Sequence, residues 1–304
     1  MLQLLLIGLV SAFAPGGGAS LDIIMVESAK DVYWNYLMEV LGNTPIPNLS
    51  FKGGYLNDNK FAITEKASDV NIQTDVAHNG VKLSIDSLSA QFHSGSFKYK
   101  WEFITAKGHV DVDISRMSVH TTLGLTTQTL SNGEVVPAFT VPEVSVNLPK
   151  DGIKIHIHGN AAASIADAFK SLFMGTIRDE ITKNLRDIIS KELPPAINKV
   201  LADQKGITEI YKDLMVNWAL PSAPTVTEKS LEFQFKGNFF PKNESQFEPS
   251  VVPPALPKHD DANTDQFQFF LSNYILESLF YSYLEVDQVH FWTKSTDIPS
   301  GFFI

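Results

Sequence analysis

The 304 residues are 44% hydrophobic and 19% charged, enough apolar material for one large core or two smaller ones, and too little charge for a disordered chain. A formal net charge of −10, with no run of clustered Lys and Arg, argues against a binder of phosphate backbones and so against nucleic acid as a partner. There is no cysteine, which excludes thiol catalysis, iron–sulfur ligation, cysteine zinc sites and any disulfide.

Met1 to Ala14 is an apolar run followed by small residues, too short to span a bilayer and shaped like a secretory leader, although its only positive charge is the amino terminus. Cleavage is expected after Ala14 or after Ala19, and the leader is assigned to residues 1–19; a buried N-terminal strand is the alternative. Ser28 to Leu41 has the spacing of an amphipathic helix, with Ser28 as its N-cap and Gly42 closing it. A turn at Thr44 to Pro47 leads into a strand-rich region from Phe51 to His158. Val81, Leu83 and Ile85 alternate there, as do Val110, Val112 and Ile114; the phase then slips at Ser115-Arg116 before Val119, as a β-bulge would make it. Asn79-Gly80 and Asn132-Gly133 sit between alternating runs as two-residue hairpin turns. Val144, Val146 and Leu148, then Ile153, Ile155 and Ile157, complete an antiparallel meander with one dry face.

The period changes at Ala161 to Ile189, where Ile165, Phe169, Leu172, Phe173, Ile177, Ile181, Leu185, Ile188 and Ile189 recur at helical spacing. Pro194-Pro195 break this helix, and Ile197, Val200 and Leu201 offer a resumption. Its dry face has to meet the dry face of the sheet. Leu231, Phe233 and Phe235 then alternate with Glu232, Gln234 and Lys236, predicting a strand with one apolar and one wet face, ended by Gly237. Pro241 to Pro257 is a proline-rich strap. Beyond it, the segment from Gln266 to Tyr283 carries more aromatic surface than a solvated tail would, and strands are expected between Phe267 and Trp292.

Few residues carry a chemical signature. His156 and His158 share one face of a strand and could offer two metal nitrogens, but no third ligand stands near them in sequence, so a solvated strand face is expected and no metal. His259-Asp260 on the strap reads as a turn cluster, and no nucleophile elbow, phosphate loop or zinc-protease motif occurs, so the chain is not expected to be an enzyme. Asn48-Leu49-Ser50 and Asn243-Glu244-Ser245 are glycosylation sequons that place Asn48 and Asn243 as candidate acceptors.

The run SLEFQFKGNFF, the later PPALP, His259-Asp260 and QFFLSNYILESLFY together resemble the junction between the two barrels of the bactericidal/permeability-increasing and lipopolysaccharide-binding protein family. Ser96-Phe97-Lys98-Tyr99-Lys100-Trp101 resembles a strand of that family's first barrel. The resemblance implies an α+β fold: an elongated, highly twisted antiparallel β-barrel, or roll, around a long amphipathic helix, with part of a central sheet and a truncated second barrel. Residues 20–220 would form the first, lipid-binding barrel, 221–265 the return strand and strap, and 266–304 the remnant of the central sheet and start of the second barrel. It further implies a secreted, extracellular, non-enzymatic lipid-binding or lipid-transfer protein, with a role in innate immunity among the options. A bound phospholipid or other acyl lipid would be taken from a membrane or lipid-particle surface, with no other cofactor. By position, the tunnel would be lined by Val32, Tyr33, Leu37, Phe169, Phe173, Ile177, Leu231, Phe233 and Phe235. The family's disulfide has no counterpart, and its cationic barrel tip does not fit an acidic chain, so neutral or zwitterionic lipid is the expected ligand. The rival expectation is an interaction module that docks a partner, or a second copy as a homodimer, through residues 266–292.

Overall fold

The computed structural model describes residues 15–28, 47–51, 53–63, 70–101, 104–160, 163–244, 255–257 and 267–285, with the side chains of 51, 101, 104 and 163–173 left aside. A seven-stranded antiparallel sheet dominates them. Its strands are β2 (Leu49–Phe51), β3 (Gly54–Ile63), β4 (Asn71–Asp75), β5 (Gly80–Trp101), β6 (Ile104–Thr129), β7 (Val135–Asn147) and β8 (Ile153–Gly159). The order is β2-β3-β5-β6-β7, with β4 pairing part of β5 and β8 part of β6. β5 and β6, of 22 and 26 residues, are too long to stay flat and curl into a half-barrel. Their register shifts opposite Leu88, where Arg116 takes a left-handed φ of 56°, so the slip read at Ser115-Arg116 is a bulge.

The concave face receives a long helix, α2 (Ala163–Asp187). Ile177, Ile181, Leu185 and Ile189, four residues apart, pack with Leu88, Phe92, Val112, Met117, Val146 and Ile155 in one core. The two prolines do not break the helical path. A wider π-type turn, Ile188–Glu192, is followed by α3 (Leu193–Ala202), which carries its prolines in the first turn, where the missing N–H groups have no partner to lose. Asn198 on α3 fixes it to β7: its Oδ1 accepts from the Phe139 N–H at 2.7 Å and its Nδ2 donates to the Phe139 carbonyl at 3.0 Å.

A second sheet has the order β11-β12-β1-β14, from β1 (Gly17–Asp22), β11 (Thr225–Val226), β12 (Ser230–Phe235) and β14 (Phe267–Leu271). β1 is central and pairs Gly17 with Phe235 on one side and Leu271 on the other. Glycine is required here by close approach, since a Cβ at Gly17 would stand 2.4 Å from the Phe235 ring. A boundary after Ala19 would cut this strand in two, whereas one after Ala14 leaves it whole. A small third sheet joins β9 (Ile207–Tyr211), β10 (Leu214–Asn217) and β13 (Phe239–Pro241), so the start of the strap is itself a strand. Its proline lies on the outermost strand, where no ladder donor is needed.

Several expectations are corrected. Ser28 is not an N-cap: the helix α1 (Ile23–Ser28) precedes it, Asp22 accepts from the Ile24 N–H at 2.7 Å, and the Ser28 hydroxyl donates back to the Ile24 carbonyl at 2.8 Å. Asn79-Gly80 is not a two-residue turn. β4 and β5 are joined by a 3₁₀ turn at Val76–His78, with Asn79 left-handed after it, and the Asp75↔Gly80 pair closes the loop. At Asn132-Gly133 the loop is likewise longer, with Leu130 N–H bonded to the Glu134 carbonyl and Gly133 at φ 83°. Lys236 is not on a wet face but 6% exposed. Of the stretch expected as strands between Phe267 and Trp292, β14 ends at Leu271 and Asn273–Glu285 is a helix, α4. Residues 1–14, 29–46, 245–254, 258–266 and 286–304 lie outside the described residues, and with them the first fourteen residues of the expected leader, most of the early helix, the Thr44-Pro45-Ile46 part of the turn, His259-Asp260 and Trp292.

Candidate functional site

Where the β11-β12-β1-β14 sheet, the counterpart of the expected central sheet, meets the half-barrel, Leu21, Val81, Leu125, Val226, Leu231 and Phe233 form a second apolar cluster. The alternation of β12 directs Leu231 and Phe233 to this side, and their partners on β1 are Leu21 and the small Ala19. Around this nucleus Ile23, Met25 and Val26 of α1, with Ile72, Leu83 and Phe139 of the barrel, are only partly buried. Ile72 also touches the main core, whose rim is again half-covered at Phe61, Ile63, Val144 and Ile157. The inner wall is thus apolar and continuous from barrel to central sheet, yet incompletely sealed among the described residues.

Of the nine lining candidates, Leu231 and Phe233 sit together in this cluster. Phe235, next on the same strand face, packs with Tyr274, Ile275, Trp218 and Phe239 in a third cluster. Ile177 is fully buried in the main core instead. Phe169 and Phe173 lie on the first half of α2 with side chains outside the described ones, and Val32, Tyr33 and Leu37 lie outside the described residues altogether. Sequence reasoning missed the half-buried wall of Ile23, Met25, Ile72 and Phe139; alternation marks such residues as inward, but not as incompletely covered. Asn48 and Asn243 are both exposed, Asn48 accepting through its Oδ1 from the Asp58 N–H at 3.2 Å.

Polar anchors hold the two sheets together beside this wall. Asn79 donates from Nδ2 to the carbonyls of Leu125 and Pro224, at 3.1 and 2.9 Å, and its Oδ1 accepts from the Val226 N–H at 2.8 Å. At the other end of β12, Lys236 Nζ lies 2.8 Å from Glu134 Oε2, both side chains buried, and Glu134 Oε1 accepts from Asn217 Nδ2 at 2.9 Å. Next to Asn79, His78 Nδ1 meets Asp75 Oδ2 at 2.9 Å and Thr122 donates to the same oxygen at 3.0 Å. The His78 hydrogen bond holds the Asp75 carboxyl below its ordinary range, and the Asp75 hydrogen bond raises the His78 imidazole. The raised imidazole contributes stability that is whole below its unperturbed value of 6.5 and lost as pH climbs through the raised one. The lowered carboxyl contributes above its unperturbed 3.8, and that share is lost as pH falls through the lowered one. The Tm difference between wild type and His78→Gln should therefore be widest between pH 3.8 and 6.5 and shrink on either side, as thermal denaturation across pH would read. A pH-independent difference would contradict the pairing.

The arrangement of a curled antiparallel half-barrel on a long helix, joined to a separate sheet by an unsealed apolar wall, defines an elongated barrel protein with an apolar interior. The "LBP / BPI / CETP family, C-terminal domain" profile matches residues 208–300. The chain is 24% identical over 182 residues to the bactericidal permeability-increasing protein of Sebastes schlegelii, covering 60% of this chain and 36% of that protein. To human lipopolysaccharide-binding protein it is 22% identical over 228 residues, covering 74% and 44%. The crystal structure of lipopolysaccharide binding protein superposes with a TM-score of 0.66 at 19% identity, over 84% of this chain and 56% of that one. These matches show the likeness read from the sequence: in sequence and fold the chain resembles the bactericidal/permeability-increasing and lipopolysaccharide-binding protein family. It spans less than half the length of the curated relatives it matches.

Proposed function

We propose that the chain is a secreted, non-enzymatic lipid-binding protein that holds phospholipid or a related acyl lipid in an apolar tunnel, exchanges it with membrane or lipid-particle surfaces, and serves innate defence. The observation that carries this reading is the continuous, half-covered apolar wall from Phe61 and Ile72 to Phe233. Acyl chains leaving water for such a wall gain about 0.8 kcal/mol per buried methylene, with the headgroup left at the mouth. Of the nine positions carried over from the resemblance, Val32, Tyr33, Leu37, Phe169, Phe173, Leu231 and Phe233 stand as the proposed lining, with Ile177 and Phe235 packed behind it in other clusters, and 20–220 as the lipid-binding region, most of it barrel. A leader ending at Ala14 is proposed in place of one ending at Ala19, because it spares β1. Asn48 and Asn243, both exposed, are the proposed glycan acceptors.

Native mass spectrometry with lipid extraction of the purified chain tests the reading, and co-purified acyl lipid is expected. Ile72→Gln places an amide on the half-buried wall and should lower lipid occupancy about tenfold, since two methylene contacts are worth roughly 1.6 kcal/mol. Exposed Lys183→Asp should leave it unchanged. Equal lipid in all three proteins would remove this wall from the site, and no lipid in wild type would remove the function.

A second reading rests on a separate observation. Phe267, Phe269 and Leu271 are exposed on β14, whose outer edge is unpaired among the described residues. Leu276, Phe280 and Leu284 form an exposed stripe on α4, opposite a buried side of Tyr274, Ile275, Ser278 and Ser282. We propose that a second copy of the chain covers this face as a twofold dimer. Sedimentation should show a dimer, and Phe280→Glu with Leu284→Glu should make it a monomer; a wild-type monomer would sink the idea.

A further inference from the structure

The outer face of the half-barrel carries a group of side chains that the apolar interior does not use. Three neighbouring strands, β5, β6 and β8, bring it together. Their register sets His93 opposite Asp111, Asp111 opposite His156, and His109 opposite His158. Directly opposed residues of antiparallel strands share a face, and the intervening Phe92, Val110, Val112 and Ile155 are buried inward, so the histidines and aspartates all stand on the outside.

Their side chains converge on Asp111. His93 Nδ1 meets its Oδ1, and His158 Nε2 lies 3.1 Å from its Oδ2. The His109 ring stacks on that of His158, centroids 4.5 Å apart and planes 11° from parallel, with the His93 ring 5.9 Å from His109 on the other side. One row further along, His156 Nε2 is 3.0 Å from Asp113 Oδ2. Donor atoms of His109, Asp111 and His158 all lie within 4.8 Å of one another.

We propose that His109, Asp111 and His158 bind a transition divalent cation, Zn²⁺ or Cu²⁺. Two imidazole nitrogens and one carboxylate oxygen are the donor set these ions take, whereas Ca²⁺ and Mg²⁺ require oxygen ligands throughout. Bonds of about 2.0–2.1 Å at tetrahedral angles separate donors by roughly 3.3 Å. The donor atoms are thus already near ligand spacing, and the stacked rings of His109 and His158 have to turn out of their stack to aim both nitrogens at one ion, which solvent-facing side chains can do. Their backbones do not have to move, because β6 is laddered on both sides by β5 and β8. His93, bonded to the other oxygen of Asp111, is the positioning residue that aims the carboxylate. Water or an external ligand completes the coordination on the open side.

A second triad, Asp75, His78 and Glu143, also brings three donors within reach, but there Asp75 caps the His78 N–H of the 3₁₀ turn and accepts from Thr122, donors that no ion replaces, whereas Asp111, among the described residues, meets only the imidazoles of His93 and His158. The second triad serves as the internal control.

Titration of the chelator-stripped full chain with zinc chloride by calorimetry should show one ion per chain. Cobalt(II) should give the visible absorption of a low-symmetry nitrogen–oxygen site. His109→Ala and His158→Ala should each weaken zinc binding by more than about a hundredfold, and His93→Ala by about ten- to a hundredfold, as loss of an orienting partner does. His78→Ala should bind like wild type. All four positions face outward, so thermal denaturation should find each variant folded. The proposal is overturned if wild type takes up no zinc, if His109→Ala and His158→Ala bind as wild type does, or if His78→Ala is the variant that loses the ion.

Discussion

Ile181→Asp is expected to leave no folded protein. Ile181 is 2% exposed at the middle of the contact between α2 and the concave sheet, between Ile177 and Leu185 on the helix stripe. An aspartate there loses an apolar contact and, having no partner, buries either a charge or an unsatisfied acid, a combined cost above about 5 kcal/mol. That is as large as the whole stability of many domains, roughly 5–15 kcal/mol. Ile181→Ala, which leaves a cavity only, should cost about 2–5 kcal/mol and still fold. Lys183→Asp, two residues on and exposed, should change stability by less than about 0.5 kcal/mol. Urea denaturation of the three variants would rank them, and an Ile181→Asp protein as stable as Lys183→Asp would mean that the helix does not fill the half-barrel.

Lys236→Ala should be the next most damaging change, at about 3–5 kcal/mol, because it strands the Glu134 carboxylate in a site only 3% exposed. The attraction within the pair is not what is lost. A buried charge without its counter-charge is the source of the cost, so removing both charges should restore most of the stability. Lys236→Met with Glu134→Gln is the suitable double variant, since the glutamine oxygen can go on accepting from Asn217. Denaturation midpoints should fall for the single variant and recover for the double. A single variant that unfolds like wild type would show that the pair does not join the hairpin at Glu134 to the end of β12.

The apolar alternation of β5, β6, β8 and β12 was readable from the residues because each strand has one dry face, and the helical stripe from Ile177 to Ile189 was readable for the same reason. What stayed hidden depends on partners distant in sequence. Lys236 follows the wet positions Glu232 and Gln234 in strict alternation, and its burial is made tolerable by Glu134, 102 positions away. Asn273 to Glu285 reads as strand by its aromatic content, and its helical period is obscured because the buried side, after Tyr274 and Ile275, continues with serines. Ser278 donates to the Ile275 carbonyl and accepts from the Phe239 N–H, and Ser282 donates to the Ser278 carbonyl, so small polar groups pack where leucines would be expected. The wall of the candidate lipid site was legible only at Leu231 and Phe233, and as a resemblance. Its half-covered members are set by how far the half-barrel stays open, which no local pattern encodes. His156 and His158 were visible as a pair, while their neighbours His109 and Asp111 required the register of β6 against β8.

The position of β1 between β12 and β14 has a kinetic consequence. Both partners lie more than two hundred residues downstream, so during synthesis at about 5–20 residues per second β1 leaves the ribosome roughly 10–40 seconds before either can pair with it. Contacts this distant close late and slowly, and the half-barrel, built from consecutive hairpins, has time to form first. A strand that waits so long unpaired would be hazardous if it were rich in β-branched or aromatic residues. β1 is Gly-Gly-Ala-Ser-Leu-Asp, and the same glycines that let the Phe235 ring approach in the finished sheet leave the nascent strand with little to stick to other chains.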